Sequence, residues 1–174
     1  MTTETIKIAV LGGSNVGKHS LAWQFIHSDS FNKDNQADRT IDTKYTLKNA
    51  KEIKVRFFVE AECERFTQTI LNRTVKSFDG AILIFDLTNP ASFELIKKFY
   101  EILDKKDKKL EKFVFAMFGN KDDLENKVDP TEIKKLEDTS LFNYFQGSAK
   151  NDIKVNEIKE YMIETIYARL YQNV

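Results

Sequence analysis

A glycine-rich loop stands near the start of the chain, Gly12-Gly13-Ser14-Asn15-Val16-Gly17-Lys18-His19, and the other motifs can be ordered around it. It follows an apolar run at residues 6–11 and precedes a helical pattern, which is the context of a phosphate-binding loop. Backbone N–H groups and the helix N-terminus can surround a polyphosphate there, and Lys18 is expected to reach the outer phosphates. The usual pattern ends in lysine followed by serine or threonine, whose hydroxyl binds Mg²⁺, but His19 takes that place here. The loop therefore predicts a phosphate site that lacks one metal ligand.

Length and charge restrict the class of protein. The chain has 174 residues with 27 basic and 27 acidic side chains, so its formal net charge is zero. This length fits one domain over residues 1–174, and the balanced charge gives no reason to expect a nucleic-acid partner. The single cysteine, Cys63, excludes an internal disulfide and fits a reducing compartment. No apolar run approaches the roughly 20 residues of a membrane span, so we expect a soluble cytoplasmic domain.

The hydrophobic pattern alternates between buried strands and amphipathic helices. Strands are predicted at residues 6–11, 45–47, 53–59, 80–86, 113–118 and 142–145. Helices are predicted after the glycine-rich loop, at 66–76, from Asn89, from Asp129 and at 158–170. Residues 28–43 are polar and aperiodic, which predicts a long loop. This order predicts an α/β fold with a doubly wound, mostly parallel six-stranded sheet, one antiparallel edge strand, and ligands at the carboxyl ends of the strands.

Polar motifs follow two later strands of the predicted sheet. Asn120-Lys121-Asp122-Asp123 comes after the strand at 113–118, and Ser148-Ala149-Lys150 comes after the strand at 142–145. A carboxylate at Asp123 can accept hydrogen bonds from both N1 and N2 of guanine, whereas adenine offers no matching pair of donors. An unpaired buried carboxylate would cost about 1–3 kcal/mol or more, so the motif predicts selection of guanine. Taken singly, each motif also has a plain interpretation as a turn or a solvated loop.

Together these motifs resemble those of the Ras superfamily of small GTPases, and the similarity covers nearly the whole chain. Residues 12–18 are similar to the family's phosphate loop, 120–123 to its NKxD base motif and 148–150 to its SAK motif, while 78–89 look most like the Rab branch. The resemblance implies a phosphate-loop small G domain that binds GDP or GTP. The nucleotide-binding residues that it implies are Gly12, Ser14, Asn15, Val16, Gly17, Lys18, His19, Ser20, Phe31, Asn120, Lys121, Asp123, Ser148, Ala149 and Lys150.

The two switch segments of the family can also be placed. Residues 38–42 are similar to the first switch, with Thr40 at the threonine that senses the γ-phosphate and Mg²⁺. Phe31 stands at the aromatic residue beside the base, although its spacing to Thr40 is about two residues longer than usual. Aligning residues 64–66 on the family's ERF sequence places residues 59–63 over the DTAGQ of the second switch.

The second switch departs from the family at the residues that serve hydrolysis. Val59 replaces the aspartate that holds Mg²⁺, Glu62 replaces the glycine that meets the γ-phosphate, and Cys63 replaces the glutamine that orients water. Mg²⁺ favours oxygen ligands, so His19 and Val59 predict weak or absent Mg²⁺ binding, with Glu60 or Glu62 as the alternative ligands. Phosphoryl transfer depends on positioning and charge neutralisation, so we expect GTP hydrolysis to be very slow or absent.

Three functions remain open at this point. The first is an atypical Rab-like or Ras-like guanine-nucleotide-binding protein that acts through partners in vesicle trafficking or signalling. The second is a nucleotide-free pseudo-GTPase that serves as an interaction scaffold, and the third is an active GTPase with substituted metal ligands. We expect a monomer whose effectors or regulators bind near residues 32–45 and 60–76. Peripheral contact with endomembranes would need a lipidated tail or a partner outside this chain.

Overall fold

The computed structural model describes residues 4–27, 39–60, 67–103, 110–139 and 141–172. Its strands are β1 (Thr5–Leu11), β2 (Thr40–Thr46), β3 (Glu52–Val59), β4 (Gly80–Asp86), β5 (Val114–Asn120) and β6 (Asn143–Gln146). Its helices are α1 (Lys18–Gln24), α2 (Gln68–Ser77), α3 (Pro90–Ile102), α4 (Pro130–Glu137) and α5 (Val155–Tyr171). No helix in the described part of the chain is both long and apolar enough to cross a bilayer.

The strands form one six-stranded sheet in the order β2-β3-β1-β4-β5-β6. Strand β2 runs antiparallel to β3 at the edge, and the other neighbouring pairs are parallel. The predicted α/β sheet with one antiparallel edge strand is therefore confirmed. Because β1, β4 and β5 are adjacent and parallel, their carboxyl ends meet at one edge of the sheet, where ligands bind in such folds.

Two apolar layers cover the sheet, one on each face. Alternate residues of β1 point to opposite faces, as the twofold repeat of a strand requires. Ile8 and Val10 belong to the layer with α1 and α5, whereas Ala9 and Leu11 belong to the layer with α2, α3 and α4. Strands β4 and β5 are buried along their whole length. This double coverage explains why their sequences are continuous apolar runs.

Two helices begin where the sequence predicts, and their caps give the reason. The side chain of Asn89 accepts a hydrogen bond from the backbone N–H of Ala91, and Pro90 occupies the first turn of α3. The side chain of Asp129 accepts one from the backbone N–H of Thr131 at 2.8 Å at the start of α4. Each cap satisfies an N–H group that has no partner within its own helix.

The loop predicted at residues 28–43 is wrong at its carboxyl end, because residues 40–43 belong to β2. Among the residues that the structure describes, this strand pairs with β3 alone, from Thr40 opposite Phe58 to Thr46 opposite Glu52. Its side chains alternate between exposed and half-buried, and none of them is fully buried. Ile41 and Tyr45 pack against the core but stay half-buried, so the strand has no run of buried apolar residues that could identify it. Residues 28–38 lie outside the described residues.

The bounds of the last two strands also shift. The strand predicted at 113–118 extends to Asn120, so the first residue of the base motif is the last residue of β5. The strand predicted at 142–145 lies one residue later, at Asn143–Gln146, and Phe142 packs in the core just before it. The extension of β5 matters because it places Asn120 on a buried strand.

Candidate functional site

The glycine-rich loop leaves β1 and enters α1 through Gly17, whose φ of +99° lies in the left-handed region. A Cβ atom at Gly17 would collide with the side-chain amide of Asn120. Both the backbone angle and the close approach therefore require glycine at this position. The sequence identified this loop, but not its contact with β5.

Lys18 lies under the loop with its ammonium group inside it. Its side chain is buried, and Nζ donates hydrogen bonds to the carbonyl oxygens of Gly13 at 2.6 Å and Gly12 at 3.1 Å. The ammonium is thus held against the backbone of the loop.

Asn120 joins the loop to the segment after β6. Its Nδ2 donates to the carbonyl oxygen of Val16 at 2.8 Å, and its Oδ1 accepts from the backbone N–H of Ala149 at 2.9 Å. The side chain is buried, so both bonds are shielded from water. One amide therefore fixes the relative positions of two motifs that lie more than 100 residues apart in the chain.

Lys121 makes a second connection to the loop. Its Nζ donates to the carbonyl oxygen of Asn15 at 2.9 Å and to the Oδ2 atom of Asp86 at 2.6 Å. Burial alone would raise the pKa of Asp86, but hydrogen bonds from Lys121 and Thr88 together hold that pKa below its usual value. Asp86 is therefore an ionised anchor for Lys121. Sequence reasoning gave it no role in the site, and its one signal was a carboxylate at the end of an otherwise apolar strand.

Asp123 is oriented by the segment that follows β6. The hydroxyl of Ser148 donates to its Oδ1 at 2.5 Å, and the Nζ of Lys150 lies 4.0 Å from its Oδ2. Within the described ranges, that Oδ2 atom accepts no hydrogen bond. The carboxylate is nearly buried, with 12% of its side chain exposed. It therefore keeps acceptor capacity for a ligand that presents N–H donors.

A cavity of about 740 Å³ joins these groups. A volume of this size falls in the range of small-molecule sites. Asp123, Ser148, Lys121 and Lys150 line one part of it, and Lys18, His19, Arg39 and Glu60 line another. Its full lining is Asn15, Gly17, Lys18, His19, Ser20, Arg39, Val59, Glu60, Asn120, Lys121, Asp123, Leu124, Ser148 and Lys150.

The side chains of His19 and Val59, which line the cavity with Lys18, carry no oxygen atom, and Mg²⁺ favours oxygen ligands. His19 offers an imidazole, whose pKa is lowered by burial and by the positive charges of Lys18 and Arg39. Val59 offers no donor, and the carboxylate of Glu60 is paired with Arg73 at 2.8 Å. Across the described ranges, no three His, Cys, Asp or Glu side chains come together as a metal cluster.

Most of the residues predicted for the site do come together. Gly12, Val16 and Ala149 contribute backbone atoms to the bonds and contacts described above, and Ser14 lies in the same loop. Thr40 is exposed at the start of β2 and does not line the cavity, so its sensor role stays a prediction. Phe31 and Cys63 lie outside the described residues, as do Glu62 and most of the second switch.

Sequence reasoning missed two further contributors. Arg39 lines the cavity beside His19, and it had no role beyond its place in a quoted segment. Gln24, at the end of α1, donates from Nε2 to the carbonyl oxygen of Ala149 at 3.0 Å and so supports the same segment as Asn120. A polar residue on an otherwise apolar helix face was the only signal for Gln24.

The fold and the cavity define a phosphate-loop α/β domain, and comparisons with known proteins give the family. The chain belongs to the Ras family, whose family model matches residues 7–168. It is 32% identical over 155 residues to the Ras-like protein RAS2 of Hydra vulgaris, covering 86% of this chain and 78% of the relative. It is 31% identical over 153 residues to the Ras-related protein Rab-7b of Mus musculus, covering 86% and 76%. Against the Ras-related protein R-Ras of Rattus norvegicus, the identity is 34% over 175 residues, covering 97% and 77%.

This membership confirms the resemblance to Ras-like and Rab-like small GTPases. It implies guanine-nucleotide binding, with Mg²⁺ as the usual companion ion in the family, and contacts with effectors or regulators. It does not by itself assign a role to any residue of this chain, because members of one family differ at their sites.

Replacing Gly17 with alanine is expected to destabilise the protein and to disrupt the loop. A left-handed backbone costs a non-glycine residue about 1–2 kcal/mol, and the collision with Asn120 adds to that cost. For a domain of this size, about 2 kcal/mol lowers the melting temperature by about 4–8 °C. Thermal unfolding followed by circular dichroism measures this change.

Gly13→Ala is the matched control in the same loop. A Cβ atom at Gly13 would meet only the flexible end of Leu95, at 3.0 Å, and then Val16 at 3.9 Å. We expect a smaller loss of stability. If Gly17→Ala and Gly13→Ala melted at the same temperature, the close contact with Asn120 would not constrain the loop.

Proposed function

We propose that this chain is an atypical guanine-nucleotide-binding protein whose affinity depends little on Mg²⁺ and whose GTP hydrolysis is very slow or absent. One observation carries the proposal. The base motif at residues 120–123 is linked by hydrogen bonds to the phosphate loop through Asn120 and Lys121. The two positions that would hold Mg²⁺, on the metal side of the cavity, instead carry the imidazole of His19 and the side chain of Val59. A chain that does not bind nucleotide would gain little from hydrogen bonds that join the base motif to the phosphate loop.

The geometry around Asp123 supports recognition of guanine. Ser148 occupies one carboxylate oxygen, and the other is near the ammonium group of Lys150. A guanine base brings two donors, N1–H and N2–H, on one edge, and the carboxylate can accept both because each of its oxygens has two lone pairs. GDP or GTP would then extend its phosphates along the cavity toward Lys18.

Slow hydrolysis follows from the groups that would have to position water and neutralise charge. A phosphoryl-transfer site relies on Mg²⁺ and on a residue that orients the attacking water. In this chain, His19 and Val59 take the metal positions and Cys63 takes the water-orienting position. Of the two alternative metal ligands, Glu60 lies in the part of the chain that the structure describes. Its ion pair with Arg73 opposes metal binding.

We propose that the protein acts by binding partner proteins rather than by catalysing a reaction. Effectors or regulators would bind near residues 32–45 and 60–76, and the chain would act as a monomer in the cytoplasm. A role in vesicle trafficking or signalling, at the surface of endomembranes, is an inference by analogy with the Rab-like and Ras-like relatives. The alternatives stay those of a nucleotide-free scaffold and of a GTPase with substituted metal ligands.

The nucleotide content of gently purified protein, followed by GDP titration in Mg²⁺ and in EDTA, tests this proposal. We expect bound guanine nucleotide, and dissociation constants in the two buffers that agree within about tenfold, or about 1.4 kcal/mol. Labelled GDP with fluorescence anisotropy gives both constants. Absence of nucleotide and of saturable binding would favour the scaffold, and a much larger effect of Mg²⁺ would favour substituted metal ligands.

A further inference from the structure

We infer that Arg39 binds the terminal phosphate of the guanine nucleotide and supplies positive charge that a metal ion would otherwise provide. This inference rests on the proposed function, because it assigns the phosphate contact within the same cavity. Arg39 lines that cavity together with Lys18 and His19. The guanidinium of Arg39 would therefore neutralise phosphate charge in place of a bound Mg²⁺ ion.

Backbone contacts place Arg39 in the part of the cavity that Lys18 and His19 line. Its carbonyl oxygen accepts a hydrogen bond from the backbone N–H of Val59 at 2.7 Å, which ties it to the end of β3. The next residue, Thr40, pairs with Phe58 as the first residue of β2. Because β3 lies next to β1, this end of the sheet stands beside the loop that holds Lys18.

The charge of Arg39 is available to a ligand. Its side chain is exposed, and no acidic side chain in the described part of the chain forms an ion pair with it. The nearby carboxylate of Glu60 is held by Arg73. The positive charge of Arg39 also acts on His19, the residue directly after Lys18, which agrees with a position close to the phosphate loop.

The chemistry of a guanidinium suits this task. It stays protonated at every physiological pH, and its planar set of N–H donors can bind two phosphate oxygens at once. Unlike Mg²⁺, it needs no serine or aspartate oxygen to hold it, so the loss of those ligands at positions 19 and 59 would not remove it. Lys18 and Arg39 could then partly neutralise a diphosphate or triphosphate from two sides.

Arg39→Gln, tested in EDTA against GDP and guanosine, separates this role from general effects. A hydrogen bond to a charged group contributes about 1.5–3 kcal/mol, so GDP should bind about 10- to 100-fold more weakly to the variant. Guanosine, which has no phosphate, should bind equally to both proteins. Arg39→Lys keeps the charge but loses the planar fork, and we expect an intermediate loss. Competition with labelled GDP measures all of these affinities.

Lys44→Gln is the matched control, because it removes one positive charge from β2, the strand that begins directly after Arg39. Lys44 pairs with Glu52 at 2.8 Å and does not line the cavity, so its removal should leave GDP affinity unchanged. If GDP bound equally to Arg39→Gln and the unaltered protein, the inference would be overturned while the proposed function stood. An equal loss for GDP and guanosine would also overturn it, since the role would then be structural. If the unaltered protein bound neither ligand, the proposed function would fail, and the inference with it.

Discussion

Asp123→Asn is expected to change the base preference of the protein from guanine to xanthine. The carboxylate can only accept hydrogen bonds, whereas an asparagine amide has an oxygen that accepts and an NH₂ group that donates. Xanthine carries a carbonyl oxygen where guanine carries its N2 amino group, so it matches the amide. Loss of charge-assisted bonds worth about 1.5–3 kcal/mol each should weaken GDP binding by about 100-fold or more. Xanthosine diphosphate should gain affinity by a comparable factor.

Competition of GDP and of xanthosine diphosphate against a labelled nucleotide measures this change of base preference directly. The asparagine oxygen can still accept the hydroxyl of Ser148, so we expect the local fold to persist. Asp122→Asn is the control, because Asp122 bonds to Gln146 at 2.6 Å and does not line the cavity. A gain for xanthosine diphosphate cannot arise from unfolding. If Asp123→Asn kept its GDP affinity and acquired none for xanthosine diphosphate, Asp123 would not recognise the base.

Combining His19→Ser, Val59→Asp and Glu62→Gly is expected to make nucleotide affinity depend on Mg²⁺. The serine hydroxyl and the aspartate carboxylate restore oxygen ligands, which Mg²⁺ favours. The glycine removes a carboxylate at the position that the family alignment assigns to the γ-phosphate contact. We expect GDP to bind about 100-fold more tightly in Mg²⁺ than in EDTA, which corresponds to about 2.7 kcal/mol.

The measurement is the GDP dissociation constant of the triple variant in the two buffers. His19→Ala combined with Val59→Leu and Glu62→Gly is the control, because it makes changes at the same positions without introducing an oxygen ligand. That control should stay nearly insensitive to Mg²⁺. Equal GDP affinity of the repaired triple variant in both buffers would refute the account of the metal side.

The sequence predicts the strands that are buried on both faces most clearly, and it misses the first half of the edge strand β2. Strands β4 and β5 stand out as apolar runs because helices cover both of their faces. The first half of β2 has no such signal, because its side chains are exposed or only half-buried and it lies at the edge of the sheet beside β3. Local sequence reports burial, but it does not report which backbone lies alongside an edge strand.

The same distinction holds for the candidate site. The loop and the base motif are visible in sequence because their residues are neighbours in the chain. The bonds from Asn120 to Val16 and from Lys121 to Asp86 depend on the strand order, which brings together residues far apart in sequence. The role proposed for Arg39 likewise depends on the register of β2 against β3.

The two bonds of Asn120 have a consequence for the entropy of binding. They lock the loop and the segment after β6 into one arrangement when the chain folds, before any ligand arrives. A ligand that touches both segments then need not restrict their relative motion, so less of its interaction energy is lost to ordering. A ligand that contacts only the base motif, such as guanosine, would therefore find the phosphate loop already in the arrangement that a complete nucleotide needs.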